Sequence, residues 1–239
     1  MVAERGAESQ NMTRYVIGDI HGGSQTLQAL LDQLNPKHDD RIYLLGDYID
    51  RGPDSKGVLY IIIDMQESGY DVRPIRGNHE DMLIRNFSQD HDLFSCQWTK
   101  NWGQKTLFSF GVKKPEDIPL RYRKFLASLP YCYEEGEFIL VHAGVDLGLD
   151  DPVNDTRVEH MAWGSTIIPE NEEGQQRRVI CGHRVKTIGE IIRSRYQQVI
   201  YLDNGAFTSQ QPAHGNLVAL NLDTMKLTMQ PWIDRKAEW

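Results

Sequence analysis

Short apolar segments near the start of the chain each lead into a glycine followed by a polar side chain. Segments typical of β-strands alternate there with segments whose apolar residues recur at helical spacing: Tyr15–Ile17, Ser24–Leu34, Ile42–Leu45, Ser55–Gln66, Val72–Ile75 and Glu80–Phe87. Strands that alternate with helices in this way predict an α/β fold. Asp19, Asp47 and Asn78 each follow a strand end, and such loops converge on one crevice in α/β sheets. We therefore expect a site at that crevice.

The rest of the chain is predicted to complete a sheet sandwich flanked by helices. Phe94 to Leu129 has a mainly helical pattern, and its aromatic residues are expected to pack, with a cap or a surface that faces the substrate as the alternative. Asp146 to Gln176 is expected to be an extended surface loop with a short helix near Val158–Ala162. We expect residues 13–239 to form one domain after a disordered extension, residues 1–12. Further strands are predicted at Tyr131–Tyr133, Phe138–Val141, Val179–Cys181, Glu190–Ile192, Val199–Leu202, Asn216–Leu222 and Lys226–Met229.

The charge and composition of the chain exclude several classes of protein. The formal net charge is −8, from 26 Lys and Arg against 34 Asp and Glu, which disfavours a nucleic-acid partner. No apolar run is long enough to cross a bilayer, and the polar start lacks the features of a secretory signal. Cys96, Cys132 and Cys181 are too scattered for a disulfide framework. We expect a cytoplasmic protein without membrane partners, monomeric by default.

Several side chains at the predicted strand ends have the chemistry of metal ligands. Asp19 and His21 are two residues apart, a spacing that directs both side chains the same way from an extended segment. Carboxylate, amide and imidazole groups follow the other strands, at Asp47, Asn78, His79, His142 and His183. This mixed set of ligands suits divalent ions such as Mn, Fe or Zn, whereas thiolate sites need cysteines in ligand spacing.

These residues also lie in a recognisable order of motifs. The sequence contains GDIHG, GDYIDRG, RGNHE, HAG and GH, which begin at Gly18, Gly46, Arg76, His142 and Gly182. The series resembles the calcineurin-like metallophosphoesterases, and within them the phosphoprotein phosphatase group. The resemblance extends weakly to Tyr201–Gly205. It implies a four-layer α-β-β-α sandwich and two divalent metal ions, which are expected to be Mn, with Fe or Zn as alternatives.

The resemblance also assigns roles to individual residues. It implies that Asp19, His21 and Asp47 bind the first metal, and that Asp47 bridges to a second metal held with Asn78, His142 and His183. It implies that His79 is the general acid and Asp50 its partner, with Arg51 and Arg76 gripping phosphate. A water shared by two cations would attack phosphorus directly, without a covalent intermediate.

Three functions are compatible with this pattern. The leading prediction is a phosphomonoesterase that acts on phosphoserine or phosphothreonine, with phosphotyrosine as an extension, because GDYIDRG and RGNHE are intact. The first alternative is a dinucleoside polyphosphate hydrolase, since the same metal core serves that reaction in related proteins. The second alternative is a non-catalytic binding protein, which would be expected to have lost a ligand or the acid.

Other polar residues receive simpler interpretations. His38, His91, His160 and His214 are expected to be solvated, and Glu80 to favour the dipole at the start of its helix. The resemblance also leads us to expect an arginine directly after Trp163, where this chain has glycine. The alternatives for that arginine's role are Arg157, Arg177 and Arg178, or its absence.

Overall fold

Two β-sheets form the centre of the molecule. The computed structural model describes residues 12–87, 98, 100–168, 177–208 and 211–235. Within these residues the first sheet has the strand order β3-β2-β1-β8-β9 and the second has the order β4-β5-β6-β7. The strands are β1 (Arg14–Ile17), β2 (Arg41–Leu44), β3 (Asp71–Pro74), β4 (Cys132–Glu135), β5 (Phe138–Val141), β6 (Arg178–Cys181), β7 (Val199–Tyr201), β8 (Asn216–Asn221) and β9 (Leu227–Pro231).

Helices connect and cover these sheets. Those in the described residues are α1 (Ser24–Leu34), α2 (Ser55–Glu67), α3 (Asn78–Arg85), α4 (Gly103–Phe110), α5 (Leu120–Ser128), α6 (Pro152–Asp155), α7 (Val158–Trp163) and α8 (Ile188–Ser194), with 3₁₀ turns at Pro115–Asp117 and Ala206–Thr208. β1, β2 and β3 pair in parallel, and so do β5, β6 and β7. The carboxyl ends of each parallel set therefore open at one edge of its sheet.

Neighbouring residues of each strand face different apolar layers. Val16 packs in the cluster between the two sheets, whereas Ile17 packs against helices α1 and α2 on the other side. Leu140 likewise faces the first sheet, and Val141 faces the layer that contains Met161 of α7. Both faces of both sheets are therefore buried. Burial of each large apolar side chain stabilises the fold by roughly 1.5–3 kcal/mol. The predicted four-layer α-β-β-α sandwich is confirmed.

One predicted strand is wrong. Glu190–Ile192 lies in helix α8 and not in a strand. Thr187 Oγ1 accepts from Glu190 N–H at 3.4 Å, and the Glu190 carboxylate accepts from Thr187 N–H at 2.9 Å. This reciprocal capping box begins a helix, and it outweighs the β-branched residues that suggested a strand. Ile191 is buried while Ile192 is exposed, as expected on two sides of a helix.

The other predicted strands and helices agree with the structure, within a few residues at their ends, where it describes them. The expected surface loop Asp146–Gln176 departs from the prediction, because it also holds α6 and buries Leu147 and Met161 against the second sheet. Phe94–Leu129 is helical over α4 and α5, and the short helix predicted near Val158–Ala162 is α7. Residues 1–11, 88–97, 99 and 169–176 lie outside the described residues, as do the predictions made for them. No helix in the described part of the chain has the length and apolar content needed to cross a membrane.

Candidate active site

The loops at the carboxyl ends of six strands contact one another at one edge of the sandwich. The backbone N–H groups of Ile20 and His21 donate to the Asp47 carbonyl at 3.1 and 2.8 Å, which ties the loop after β1 to the loop after β2. Gly182 N–H donates to the His142 carbonyl at 2.9 Å, which joins the loops after β5 and β6. The loops carry the predicted residues Asp19, His21, Asp47, Asp50, Arg51, Asn78, His79, His142 and His183, together with Asp203 after β7.

Unusual backbone conformations are concentrated in these loops. Of the eight non-glycine residues with positive φ in the described chain, five are predicted site residues: His21, Asp47, Asp50, Arg51 and His183. Such a conformation costs roughly 1–3 kcal/mol for each residue and persists only where the surroundings fix it. The stability of the surrounding sandwich therefore maintains strain in these loops, as is common at functional sites.

Backbone carbonyls fix the imidazole rings of His21 and His142. His21 Nδ1 lies 3.0 Å from the Ile49 oxygen, and His142 Nδ1 lies 2.8 Å from the Leu45 oxygen. Because a carbonyl only accepts, each Nδ1 carries the hydrogen and each Nε2 of a neutral ring offers a lone pair. These Nε2 atoms lie 3.5 and 3.4 Å from the Asp47 carboxylate. Lone pairs aimed at a carboxylate repel, so the arrangement fits a cation between them.

The side-chain amide of Asn78 faces the same acceptors. One end of this amide lies 2.9 Å from His142 Nε2 and 3.1 Å from His183 Nδ1, so Asn78 can turn its nitrogen to these rings or its oxygen to a cation beside them. The His183 N–H donates to the Asp19 carboxylate at 3.0 Å, which brings the loop after β6 against the loop after β1. Donor atoms of Asp19, Asp47 and His142 lie within 4.8 Å of one another. A second group within the same distance consists of His21, Asp47 and His79.

Electrostatics favour a bound cation at this cluster. Burial lowers the pKa of His21 and His142, which keeps both rings neutral and able to act as ligands near pH 7. Burial raises the pKa of Asp19 well above its usual value, and the charges of Asp203 and Asp47 raise it further. Buried carboxylates that repel one another are stabilised by a positive charge among them.

His79 and Asp50 form a buried hydrogen-bonded pair beside this cluster. His79 Nδ1 lies 2.6 Å from Asp50 Oδ2, while His79 Nε2 lies 3.9 Å from Asp47 Oδ2. Burial lowers the pKa of His79, but the Asp47 and Asp50 carboxylates outweigh burial, and the net pKa is raised. A histidine with a raised pKa and one ring nitrogen facing the cluster is suited to donate a proton.

Arg51 borders the same cluster. Its Nη2 lies 3.3 Å from His79 Nε2, and its guanidinium carbon lies 4.5 Å from the centre of the Phe207 ring. The buried Arg51 Nε has no hydrogen-bond partner among the described residues. Phe207, whose ring also contacts His21 at 5.0 Å, was not identified from sequence. One indication of this role was present in the sequence, because Phe207 lies two residues after Tyr201–Gly205, the segment with a weak resemblance to the family.

Arg76 has different surroundings from Arg51. Its Nη1 donates to the Tyr131 hydroxyl at 3.0 Å and its Nη2 to the Ala127 carbonyl at 2.9 Å. The Arg76 guanidinium carbon lies 4.7 Å from the centre of the Tyr131 ring. These contacts direct the side chain toward the end of α5, and the phosphate-binding role of Arg76 stays a prediction.

Two of the three alternatives for the missing arginine lie far from the cluster. Arg178 begins β6, at the opposite strand end from His183, and donates to the Gln197 carbonyl at 3.2 Å. At ~3.3 Å for each residue of a strand, this places Arg178 roughly 15 Å from the site. Arg177 pairs with Glu134 on β4. The structure therefore rules out both, and Arg157 stays a prediction.

Glu80 has a larger role than the sequence indicated. We expected Glu80 only to interact with the helix dipole. Its carboxylate is fully buried and also accepts four backbone hydrogen bonds, from the N–H groups of Asp47, Gly77, Tyr48 and Ile49 at 2.8, 3.0, 2.8 and 3.3 Å. Burial and the Asp47 charge raise the pKa of Glu80, and these N–H donors oppose the rise. Glu80 thus holds the strained loop after β2 against the start of α3.

Comparison with known proteins identifies the family. The calcineurin-like phosphoesterase family matches residues 12–206. The chain belongs to this family. It is therefore assigned to a family of phosphoester hydrolases. A crystal structure described as a candidate diadenosine tetraphosphatase has the same fold, with a TM-score of 0.63 at 19% identity over 95% of this chain and 96% of that chain.

Curated relatives contradict the predicted protein phosphatase activity. The bis(5′-nucleosyl)-tetraphosphatase (symmetrical) of Dechloromonas aromatica is 32% identical over 136 residues, or 56% of this chain and 44% of that relative. A relative of the same name from Vibrio parahaemolyticus is 28% identical over 146 residues, or 56% of this chain and 45% of the relative. The chain thus matches less than half the length of either. The prediction of a phosphoserine or phosphothreonine phosphatase is wrong, because its motifs reflect the shared hydrolytic core and not the substrate.

Proposed function

We propose that this phosphoesterase hydrolyses dinucleoside tetraphosphates. Water would cleave one phosphoanhydride bond at the centre of the tetraphosphate, giving two nucleoside diphosphates and releasing two protons. The observation that carries the proposal is the 32% identity over 136 residues to a symmetrical bis(5′-nucleosyl)-tetraphosphatase. The buried cluster of carboxylates and imidazoles supports it, because cations held there would supply the positive charge that hydrolysis of a polyanion needs at the reacting phosphate.

Two divalent metal ions fit the cluster. Neutral imidazoles with fixed Nε2 lone pairs, buried carboxylates and an amide oxygen suit Mn, with Fe or Zn as alternatives. We assign Asp19, His21 and Asp47 to one ion, and Asp47, Asn78, His142 and His183 to the other. Such ions would activate water and neutralise charge on the phosphate.

His79 and Arg51 would then act on the substrate directly. Because His79 Nδ1 faces Asp50, its proton for the leaving phosphate oxygen is held on Nε2. Arg51, 3.3 Å from that Nε2, is placed to donate to phosphate oxygens from a guanidinium held against Phe207. We retain Arg76 as a second candidate for contact with phosphate.

Product analysis tests the proposed function. The purified chain is incubated with diadenosine tetraphosphate and Mn²⁺, and nucleotides are separated by ion-exchange chromatography. We expect ADP as the sole nucleotide product, with activity abolished by a chelator. AMP together with ATP would show cleavage at a different bond, and no turnover of the dinucleotide would refute the proposal.

A pair of histidine substitutions tests the assignment of the proton donor. We expect His79→Asn to slow hydrolysis by roughly 100- to 10,000-fold, the usual contribution of general acid catalysis. The matched control is His38→Asn, because His38 is exposed and its ring stacks on Tyr70 at 4.1 Å, before β2 and β3 and so at the strand ends opposite the cluster. Equal rates for the two variants would refute the role of His79.

A further inference from the structure

Three side chains at four-residue spacing lie against the Asp50–His79 pair. Trp98 Nε1 donates to Asp50 Oδ2 at 2.7 Å, and Thr106 Oγ1 donates to Asp50 Oδ1 at 2.5 Å. Between them, the Trp102 ring lies edge-on to His79, with ring centres 5.9 Å apart. Trp98, Thr106 and Asp50 are each fully buried. The aromatic residues expected mainly to pack therefore include Trp98, which hydrogen-bonds to Asp50, the partner of the proton donor.

The same threonine also holds the backbone of Asp50. Asp50 N–H donates to Thr106 Oγ1 and to Ser55 Oγ, each at 3.0 Å. Since the Thr106 hydroxyl accepts from this N–H, its own hydrogen is directed to the Asp50 carboxylate. Asp50 has a φ of 69°, a conformation that a non-glycine residue keeps only when its surroundings hold it.

These contacts determine how the His79 ring is oriented. The Asp50 carboxylate accepts hydrogen bonds from Trp98 Nε1 and Thr106 Oγ1, and His79 Nδ1 lies 2.6 Å from it, so the carboxylate acts only as an acceptor. His79 Nδ1 must therefore carry the hydrogen of their shared bond, and Nε2 faces the cluster. Without the two other donors, the carboxylate would be free to rotate about its Cβ–Cγ bond and carry the imidazole with it.

We propose that Trp98 and Thr106 are positioning residues, which hold Asp50 and thereby align His79 for proton transfer to the leaving group. The proposal rests on phosphoester hydrolysis at this site, although it does not require a dinucleotide substrate. Neither residue touches the reacting atoms. Replacing Trp98 or Thr106 should therefore slow hydrolysis most for substrates whose leaving group must be protonated by His79. Substrates whose leaving group departs without a proton should be slowed less.

Leaving-group dependence tests this positioning role. Phenyl phosphate and p-nitrophenyl phosphate present the same phosphoryl group, but phenoxide is the more basic leaving group and depends more on protonation. We expect Trp98→Phe and Thr106→Val to slow phenyl phosphate at least about 10-fold more than p-nitrophenyl phosphate, a fraction of the usual gain from general acid catalysis. Thr106→Ser, which keeps the hydroxyl, should restore the wild-type ratio. Equal slowing of both substrates would overturn the proposal.

Ser109→Ala is the matched control. Ser109 lies on α4 with Thr106, accepts from Lys56 N–H at 3.1 Å and donates to the Thr106 carbonyl at 2.8 Å, so it fastens α4 to α2 without contacting Asp50 or His79. We expect this variant to keep the wild-type ratio of the two rates. A changed ratio in Ser109→Ala would show that any loosening of α4 has the effect, and would overturn a specific role for Trp98 and Thr106.

Proton NMR gives a second test that needs no turnover. The His79 Nδ1 proton in its 2.6 Å bond should resonate far downfield and be assigned by its loss in Asp50→Asn. We expect this signal to move or broaden in Thr106→Val and to be retained in Ser109→Ala. An unchanged signal in Thr106→Val would overturn the positioning role. Failure to cleave diadenosine tetraphosphate would refute the proposed substrate and leave this NMR result standing.

Discussion

Replacing Gly182 with alanine would place a methyl group against the Asp19 carboxylate. A Cβ at position 182 would lie 1.9 Å from Asp19 Oδ1, whereas ordinary contact begins at 3.4 Å. One of the two groups must therefore move by about 1.5 Å. Asp19 is only 3% exposed and accepts from the His183 backbone at 3.0 Å, so it has little room to do so without losing that bond. The φ of Gly182 is not positive, so the contact and not backbone strain is the perturbation.

A displaced Asp19 should weaken both metal binding and catalysis. We expect Gly182→Ala to bind Mn²⁺ roughly 10- to 100-fold more weakly, as when a contact that orients a metal ligand is lost. We expect roughly a 100-fold loss of kcat/KM at saturating metal, the scale of a 1 Å misplacement in an active site. Calorimetric titration of the metal-free protein measures the first effect, and release of ADP from diadenosine tetraphosphate measures the second.

Gly189→Ala provides the matched control for this prediction. Gly189 lies in α8, where the nearest atom to an added Cβ is Arg193 Nη1 at 3.4 Å. This alanine should leave metal binding unchanged and stabilise the fold by roughly 0.5–1 kcal/mol, because alanine favours a helix over glycine. If Gly182→Ala bound Mn²⁺ as tightly as Gly189→Ala, Asp19 would not be a ligand held in the position described.

Two further predictions concern stability. Asp234→Ala should lower the free energy of unfolding by about 2–4 kcal/mol in urea titrations, because the Asp234 carboxylate accepts from Thr26 N–H at 2.9 Å and caps α1; a loss no larger than that of an exposed surface substitution would contradict this. Burial raises the pKa of Glu135, but bonds from Tyr43, Arg41 and Arg14 outweigh it and hold the net pKa below the unfolded value of 4.5. Ionised Glu135 therefore stabilises the fold above pH 4.5, and this contribution is lost as the pH falls through the lower folded value. The stability difference between wild type and Glu135→Gln should shrink on acidification from pH 7, and a constant difference would refute the assignment.

The sequence was a better guide to reaction chemistry than to substrate. The candidate metal ligands and the candidate proton donor each follow a strand end, so within this fold they leave an ordered series of motifs in the chain. The residues that recognise the leaving group of the substrate lie on surfaces that carry no comparable series of motifs. This is why the intact GDYIDRG and RGNHE motifs suggested a protein phosphatase, whereas relatives with related sequences are named for a dinucleotide reaction.

Local chemistry in the sequence determined the strands, most helices and the residues of the candidate site. The carboxyl ends of parallel strands necessarily meet at one sheet edge, so Asp19, Asp47 and Asn78 could be grouped before any contact was known. The local signal failed at Glu190–Ile192, where a reciprocal cap favoured a helix over β-branched propensity.

Only the tertiary structure decided which distant side chains hold these residues in place. Trp98 and Thr106 reach Asp50 across 48 and 56 residues, and Asp234 caps α1 from 208 residues away. Such contacts follow no sequence period, because they depend on how separate elements pack and not on the direction of a side chain within one element. The pKa shifts arise in the same way, since burial raises the pKa of Asp19 and the Asp47 and Asp50 carboxylates raise the pKa of His79 only when the fold brings these groups together.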